Sequence, residues 1–295
     1  MKRRNYICLA CFIIIFVFVA ACSVWQRQNH NSETAILLDT LPPFSGEPYV
    51  IINDNKPKFS QNEITNNSFE FYSDLDALNR CGYAFACVGR DVMPIEERGS
   101  IGQIRPTGWQ TVKYDFVDGK YLYNRCHLIG YQLTGENANE CNLVTGTRFL
   151  NMEGMLPFEN MVADYVKETG NHVMYRVTPV FRDYELVARG IQMEALSVED
   201  DGYGICFNIY AYNNQPGIEI DYTTGESSLS VYDWNATGTT ETYATTYILN
   251  TNSKKFHRSS CGQGESTKKE NKVCYDGNRS ELIANGYTPA GCCNP

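Results

Sequence analysis

The sequence predicts an α+β fold built on a central antiparallel sheet. Apolar side chains at 158, 161, 162, 165 and 166 are spaced as on one face of a helix. Three later stretches, 173–181, 186–196 and 205–212, are strand-like, and the last two are rich in β-branched residues and tyrosine. Strands grouped after one long helix favour an antiparallel sheet with helices on its faces.

Composition is that of a globular protein. The 295 residues are 43% hydrophobic and 20% charged, which allows one large domain with an appendage or two domains. The net charge of −9 argues against a broadly basic surface. Two interpretations stay open: an acidic surface that aids solubility outside a cell, or an acidic shell around a small basic or metal-neutralised cleft.

Residues 1–25 form a targeting segment. Three basic residues at 2–4 precede an almost wholly apolar run at 7–21. The run ends in Val-Ala-Ala-Cys, which resembles a bacterial lipobox with Cys22 as the lipidated residue. An uncleaved membrane anchor and ordinary signal cleavage are the alternatives. All three predict export, and residues 26–45 then form a polar tether.

Short strands are predicted between the tether and the helix, in chain order, at 49–52, 69–72, 112–116 and 121–123. Asp118-Gly119 joins the last two as a hairpin. The stretch 75–88 is ambiguous, and 91–98 has the charges of an exposed turn. A hairpin followed by the helix predicts a ββα unit.

Groups suited to phosphodiester hydrolysis gather around this unit. His127 is expected at the end of a strand, with Asn151 and Glu159 on or near the helix, which Pro157 begins and Gly170 ends. A neutral imidazole can take a proton from water near pH 7. Oxygen ligands hold a hard cation that neutralises charge on a phosphate.

The stretch 123–166 resembles the DNA/RNA non-specific endonucleases, which are ββα-metal nucleases, and among them the DNA-entry nucleases and streptodornases. That family carries Asp-Arg-Gly-His, then two asparagines nine residues apart and a glutamate eight residues later. Asn142, Asn151 and Glu159 have these spacings. Asn124-Arg-Cys126-His127 departs from the first motif at two positions. The resemblance covers roughly residues 46–229, the predicted nuclease domain.

The resemblance implies a role for each site residue. His127 would be the general base, and Asn151 would bind one Mg²⁺, or Mn²⁺, mostly surrounded by water. Glu159 would hold the waters of the metal, and Asn142 would orient or polarise the site. The family also implies a 5′-phosphate product and an upstream arginine on the scissile phosphate. Arg105 is the candidate for that arginine, Arg148 is a weaker rival, and a plain surface role for Arg105 stays open.

Five cysteines lie in the predicted domain, at positions 81, 87, 126, 141 and 206. Export permits disulfides, and an odd number leaves at least one thiol unpaired if the pairs form within the domain. Cys126 lies beside His127 and could be a reactive thiol. A structural role is favoured for Cys126, because a nuclease of this type needs no thiol.

The C-terminal part is predicted to be a separate module. Residues 230–246 are a Ser/Thr-rich linker, and residues 247–295 resemble the small zinc module of the bacterial alkylation-repair regulator, with His257, Cys261 and Cys293 at ligand positions. Ala290 replaces a ligand cysteine of that module, so Cys292 or Cys274 would have to supply the fourth ligand. A disulfide-stapled module is the alternative.

The sequence therefore predicts an exported, Mg²⁺-dependent nuclease that acts on DNA and RNA and is tethered to a membrane by its N-terminus. The alternative, from another class, is a non-catalytic surface module that captures extracellular DNA or a protein partner. Asn124 and Cys126 motivate that alternative, because both depart from the family motif.

Overall fold

The structure is a computed structural model that describes residues 38–230, 245–258, 261–277, 282 and 285–290. The chain divides into two compact units, Met1–Leu229 and Ser230–Pro295. The predicted leader with Cys22, most of the predicted linker and the last cysteines lie outside the described residues. Within the described ranges, no helix has the length and apolar character needed to cross a membrane.

A six-stranded antiparallel sheet forms the centre of the first unit. Its strands are β1 (Tyr49–Ile51), β2 (Phe69–Tyr72), β3 (Ala84–Val88), β6 (Val173–Val180), β7 (Gly190–Ser197) and β8 (Cys206–Tyr212), in the spatial order β1-β8-β7-β6-β3-β2. Strands β6, β7 and β8 pair consecutively and are mostly buried. The α+β prediction is therefore confirmed, with a shorter β7 than the stretch 186–196 suggested.

A separate two-stranded ribbon, β4 (Tyr123–His127) and β5 (Leu143–Thr147), supplies the ββ part of the ββα unit. The prediction that the strands 112–116 and 121–123 form this unit was wrong. That hairpin contains only an isolated bridge between Lys113 and Tyr121, and its second arm leads directly into β4. Between β4 and β5 lie a short helix α1 (Tyr131–Thr134) and a 3-10 turn (Glu140–Asn142).

The predicted helix forms as α2 (Leu156–Thr169), preceded without a break by a π-helical segment (Leu150–Met155). Pro157 lies in its first turn, and Gly170 ends it in the left-handed conformation with φ 78°, donating to the Val166 carbonyl. Phe158, Val162 and Val166 are buried in the main core, as their spacing predicted. Phe158 fixes this face of the helix against the sheet, since its ring lies 4.9 Å from those of Tyr49 and Phe207.

The first unit ends in a small β-hairpin, β9 (Ile218–Ile220) and β10 (Ser227–Leu229). The second unit contains β11 (Thr245–Asn250), β12 (Lys255–Arg258), the short helix α3 (Gly262–Glu265), β13 (Lys272–Gly277) and β14 (Thr288–Pro289). Its four strands lie in the order β13-β11-β12-β14. Tyr247, Leu249, Phe256 and Leu282 form its small core.

Candidate active site

His127 lies at the end of β4, as predicted, with both ring nitrogens in contact with other groups. Nε2 is 2.7 Å from the carbonyl oxygen of Asn137, and Nδ1 is 3.2 Å from Nη2 of Arg98. A carbonyl only accepts hydrogen bonds and a guanidinium only donates them. Nε2 therefore carries the proton, and the lone pair on Nδ1 points towards Arg98.

The surroundings of His127 keep its imidazole neutral. Burial lowers its pKa to about 4, and the positive charge of Arg98 acts in the same direction. At neutral pH the ring is therefore in the form that accepts a proton.

Arg98 is a site residue that the sequence interpretation missed. It lies at the end of the stretch predicted as an exposed turn, and it is indeed exposed, yet its guanidinium reaches the imidazole. Its charge also acts on Glu159, so Arg98 is close enough to interact with both ionisable groups of the site. An arginine upstream of His127 was expected, and Arg98 is the upstream arginine whose described contacts reach the imidazole.

Asn142 positions the turn that follows His127. Its side chain is completely buried; Oδ1 accepts from the Ile129 N–H at 2.9 Å, and Nδ2 donates to the Ile129 carbonyl at 3.0 Å. Its own carbonyl accepts from the Leu128 N–H. Because the amide makes these bonds with the backbone, it acts by orienting the turn.

Asn151 and Glu159 lie on one continuous helical segment, eight residues apart. In a regular α-helix this separation leaves two side chains about 80° apart around the axis. The wider turns of the π-helix, which has i→i+5 bonding, rotate Asn151 back towards the face of Glu159. The π-segment thus turns both oxygen-bearing side chains in a similar direction.

The Glu159 carboxylate lies directly under the turn that Asn142 holds. A Cβ added to Gly130 would be 2.6 Å from Glu159 Oε2, so a larger residue here would require the carboxylate to shift. Burial raises the pKa of Glu159 to about 7, while Arg98 lowers it. Gly130 follows His127 by three residues, which links the carboxylate to the imidazole through one short turn.

The donor atoms on the helix fit a hard cation. Within the described part of the chain, the Asn151 Oδ1 and the Glu159 carboxylate accept no hydrogen bond, and Asn151 Nδ2 makes only a 3.7 Å contact with the Met152 sulfur. Amide and carboxylate oxygens are ligands that Mg²⁺ accepts, and Mg²⁺ keeps several waters. No cluster of three or more His, Cys, Asp or Glu that could hold a metal occurs among the described residues.

The two departures from the family motif are accommodated locally. Cys126 is fully buried, and a Cβ on Gly146 would lie 2.4 Å from its sulfur, so Gly146 on β5 provides the space for this side chain. Asn124 Oδ1 lies 3.5 Å from Arg148 Nη1, and Arg148 also pairs with Asp118 at 2.7 Å. Arg148 is thus engaged with Asp118 and Asn124.

Arg105 lies on the surface near Arg125, and its contact with a phosphate stays a prediction. It is exposed, and no described contact joins it to His127. It lies close enough to Arg125 that the two like charges interact; burial and this repulsion both lower the pKa of Arg125. Arg105 is therefore a basic residue near the site and separate from the imidazole.

In the second unit, two of the predicted zinc ligands are close together. Cys261 Sγ lies 3.6 Å from His257 Nδ1, and both residues are buried. His257 and Cys274 both pair with Ile248, from opposite sides of β11, so their backbones are about 10 Å apart. This separation disfavours Cys274 as the fourth ligand. Cys292 and Cys293 lie outside the described residues, and the zinc and disulfide interpretations both stay predictions.

The ribbon of β4 and β5 ends in an imidazole and is followed by a helical segment that carries an amide and a carboxylate, which is a ββα arrangement. Residues 60–199 match the model of the family described as DNA/RNA non-specific endonuclease. This match supports placing the predicted nuclease domain in that family, and it supports a hydrolase that acts on nucleic acid.

Solved nucleases have a similar fold. Metal-free NucA from Streptococcus agalactiae is 26% identical, with a TM-score of 0.56 over 70% of this chain and 97% of that chain. NucA from the same organism with magnesium bound is 24% identical, with a TM-score of 0.56 over 62% and 88%. The Sda1 nuclease with a bound zinc ion is 24% identical, with a TM-score of 0.52 over 62% and 97%.

Proposed function

We propose that the chain is an exported endonuclease that hydrolyses phosphodiester bonds in DNA and RNA with one Mg²⁺ ion and His127 as general base. The observation that carries this proposal is the state of His127. The ring is neutral, its proton is held on Nε2 by the Asn137 carbonyl, and its lone pair on Nδ1 faces Arg98.

In this proposal Arg98 contacts His127 when the site is empty and contacts the phosphate when substrate is bound. Without substrate it donates to Nδ1 of His127. A phosphate in the site offers the guanidinium a stronger, charged acceptor. Movement of Arg98 to the phosphate frees Nδ1 to accept a proton from water, and the approaching negative charge raises the basicity of the imidazole.

Asn151 would hold the Mg²⁺ through its amide oxygen, and Glu159 would accept hydrogen bonds from the waters of the ion. When bound, the ion supplies positive charge to the phosphate and to the leaving oxygen. Asn142 and Gly130 keep the turn after His127 in place above Glu159. Mn²⁺ has the same preference for oxygen ligands and is expected to replace Mg²⁺.

The leader supports export. Its basic start, apolar run and lipobox-like end predict a lipid on Cys22 and a surface location, with a membrane anchor and ordinary cleavage as alternatives. Cells can be grown with a radiolabelled fatty acid. Label in the wild-type protein that is absent from a Cys22→Ala variant would identify the lipoprotein.

The deciding experiment incubates the protein, purified without its leader, with supercoiled plasmid in Mg²⁺ or in EDTA. Nicking and smearing are expected only with Mg²⁺, and separate assays with RNA test the breadth of the substrate. His127→Ala should lower the rate by about 10²–10⁴-fold, because removal of a general base has this effect. Circular dichroism of the variant is the control for folding. Plasmid retention without cleavage by the wild type would instead establish the capture module.

A further inference from the structure

We propose that a single-stranded segment of the substrate runs from the scissile phosphate along a basic and aromatic track formed by Arg105, Trp109, Lys113, Tyr121 and Arg125. This inference rests on the proposed function, and it adds the class of substrate that the nuclease prefers. We call this surface the strand track.

The strand track follows the chain that leads into β4. The hairpin bridge joins Lys113 to Tyr121, and the Leu122 N–H donates to the Val112 carbonyl. From Tyr121 the chain continues into β4 and ends at His127. Six residues of extended chain span about 20 Å, which corresponds to about six stacked nucleotides at ~3.4 Å each.

Side-chain alternation in β4 brings one end of the strand track to the side of the imidazole. Alternate residues of a strand lie on the same face, so Arg125 and His127 share one face of β4, and Tyr121 precedes the bend at Leu122 that leads into this strand. The Arg125 guanidinium lies 4.0 Å from the centre of the Trp109 ring, and the Lys113 ammonium lies 4.4 Å from that of Tyr121. Each cation is therefore held over an aromatic ring on the route to the active site.

The charges of the strand track are not neutralised by neighbouring carboxylates. In the hairpin, Asp115 pairs with Lys120 at 3.0 Å and Asp118 pairs with Arg148 at 2.7 Å. Arg105, Lys113 and Arg125 have no carboxylate partner in the part of the chain that the structure describes. In a protein of net charge −9, this local excess of positive charge favours a polyanion.

Hydrogen bonds hold the loop of residues 96–104, which leads to Arg105 of the strand track, in place before substrate binds. Arg125 Nη2 donates to the Gly102 carbonyl at 2.9 Å, and its Nε donates to the Ile104 carbonyl. Tyr131 donates to the Glu96 carbonyl on the other side of Arg98. Arg98 therefore lies in a loop that is anchored on both sides, and Arg105 directly follows the second anchor, which lowers the ordering cost of binding a strand.

The exposed aromatic rings favour unpaired bases. Phe116 is 57% and Tyr121 is 47% exposed, although both are large apolar side chains. Aromatic rings beside a basic groove bind single strands because the π-faces of bases stack on them. In a duplex those faces are already stacked within the helix. The combination of exposed rings and unpaired cations therefore favours a single strand.

The test compares three substrates: bis(p-nitrophenyl) phosphate, a 20-nucleotide single strand, and the same sequence as a duplex. Lys113→Ala and Tyr121→Ser are expected to lower kcat/KM on the single strand about tenfold relative to the small diester, which is within the range for the loss of one stacking partner. The loss on the duplex should be smaller. Tyr203→Ser is the matched control, because Tyr203 is 95% exposed and lies in the turn between β7 and β8.

Each alternative outcome contradicts a different part of the inference. Equal losses on all three substrates, or none, overturn the strand track. Equal losses on the single strand and the duplex show a contact with the backbone alone and overturn the preference for single strands. If the wild type cleaves none of the substrates, the proposed function fails. Fluorescence anisotropy of the labelled single strand in EDTA then tests the track by itself, and unchanged binding by the two variants overturns it.

Discussion

The two sides of the active site differ in how completely their polar groups are satisfied. On the β-ribbon side, both ring nitrogens of His127 and both amide atoms of Asn142 have hydrogen-bond partners. On the helix side, the Asn151 Oδ1 and the Glu159 carboxylate have none among the described residues. The comparison fits the proposed function: the proposed base is positioned in advance, and the oxygen atoms of the helix would be satisfied by a metal and its waters.

This difference has an energetic counterpart. A buried carboxylate without hydrogen bonds favours its protonated form, and burial raises the pKa of Glu159 to about 7. A cation nearby favours the ionised form. Metal binding and loss of the proton from Glu159 should therefore be coupled.

The largest effect is expected from Asn142→Ala, which removes support from the β-ribbon side. The buried N–H and carbonyl of Ile129 would lose their partners, and each unsatisfied group costs about 1–3 kcal/mol. We expect a clear fall in the free energy of unfolding, measured with urea, together with a loss of activity as the turn after His127 shifts. Asn142→Asp keeps only the acceptor and should be intermediate. A fully stable Asn142→Ala variant would contradict the positioning role.

A smaller and more selective effect is expected from Asn151→Ala on the helix side. Stability should hardly change, because the side chain makes only one weak contact. Activity should fall at low Mg²⁺ and recover in part at high Mg²⁺. Asn160→Ala is the matched control, since Asn160 is exposed on the same helix and bonds only to Gln132. Identical Mg²⁺ titrations for the wild type and Asn151→Ala would remove Asn151 from the metal site.

The smallest effect concerns the pH dependence of stability without metal. The folded pKa of Glu159 is about 7, against an ordinary value of 4.5, so the unfolded chain loses this proton first as the pH rises. The contribution of Glu159 to stability is therefore present below pH 4.5 and is lost as the pH rises towards 7.

Differential scanning fluorimetry can measure this contribution. Relative to Glu159→Gln, the Tm of the metal-free wild type should fall by a few degrees between pH 4.5 and 7, since about 1 kcal/mol moves Tm by about 2–4 °C in a domain of this size. His127 acts in the opposite direction, because its lowered pKa removes stability as the pH falls from 6.5 to about 4. Parallel curves for the wild type and Glu159→Gln would show that the carboxylate is not buried as described.

Patterns that depend on neighbouring residues were predictable from the sequence. The spacing of Phe158, Val162 and Val166 predicted the buried face of α2, and Pro157 and Gly170 predicted where it begins and ends. Strands β2 and β6 were also predicted closely, because their apolar runs are bounded by turns. His127 was correctly expected at the end of a strand.

Features that depend on distant contacts were not predictable. Arg98 lies in a polar, non-periodic loop, and nothing in its local sequence shows that the loop folds back onto His127. The same holds for β5, which pairs with β4 across an intervening helix and turn. Two arginines seven residues apart, Arg98 and Arg105, were equivalent by sequence, and only the path of the loop separates them.

The fit between Cys126 and Gly146 has a practical consequence for labelling. Burial raises the pKa of the Cys126 thiol and encloses its sulfur, so the reactive thiolate does not form and reagents do not reach it. The nuclease thus carries a sulfur atom one residue from its base that maleimides and peroxides should leave intact. Among the described cysteines of the first unit, Cys206 on β8 is exposed and is where a dye would attach first. A fluorophore attached there lies on β8 and leaves the side chains of β4 and β5 unmodified.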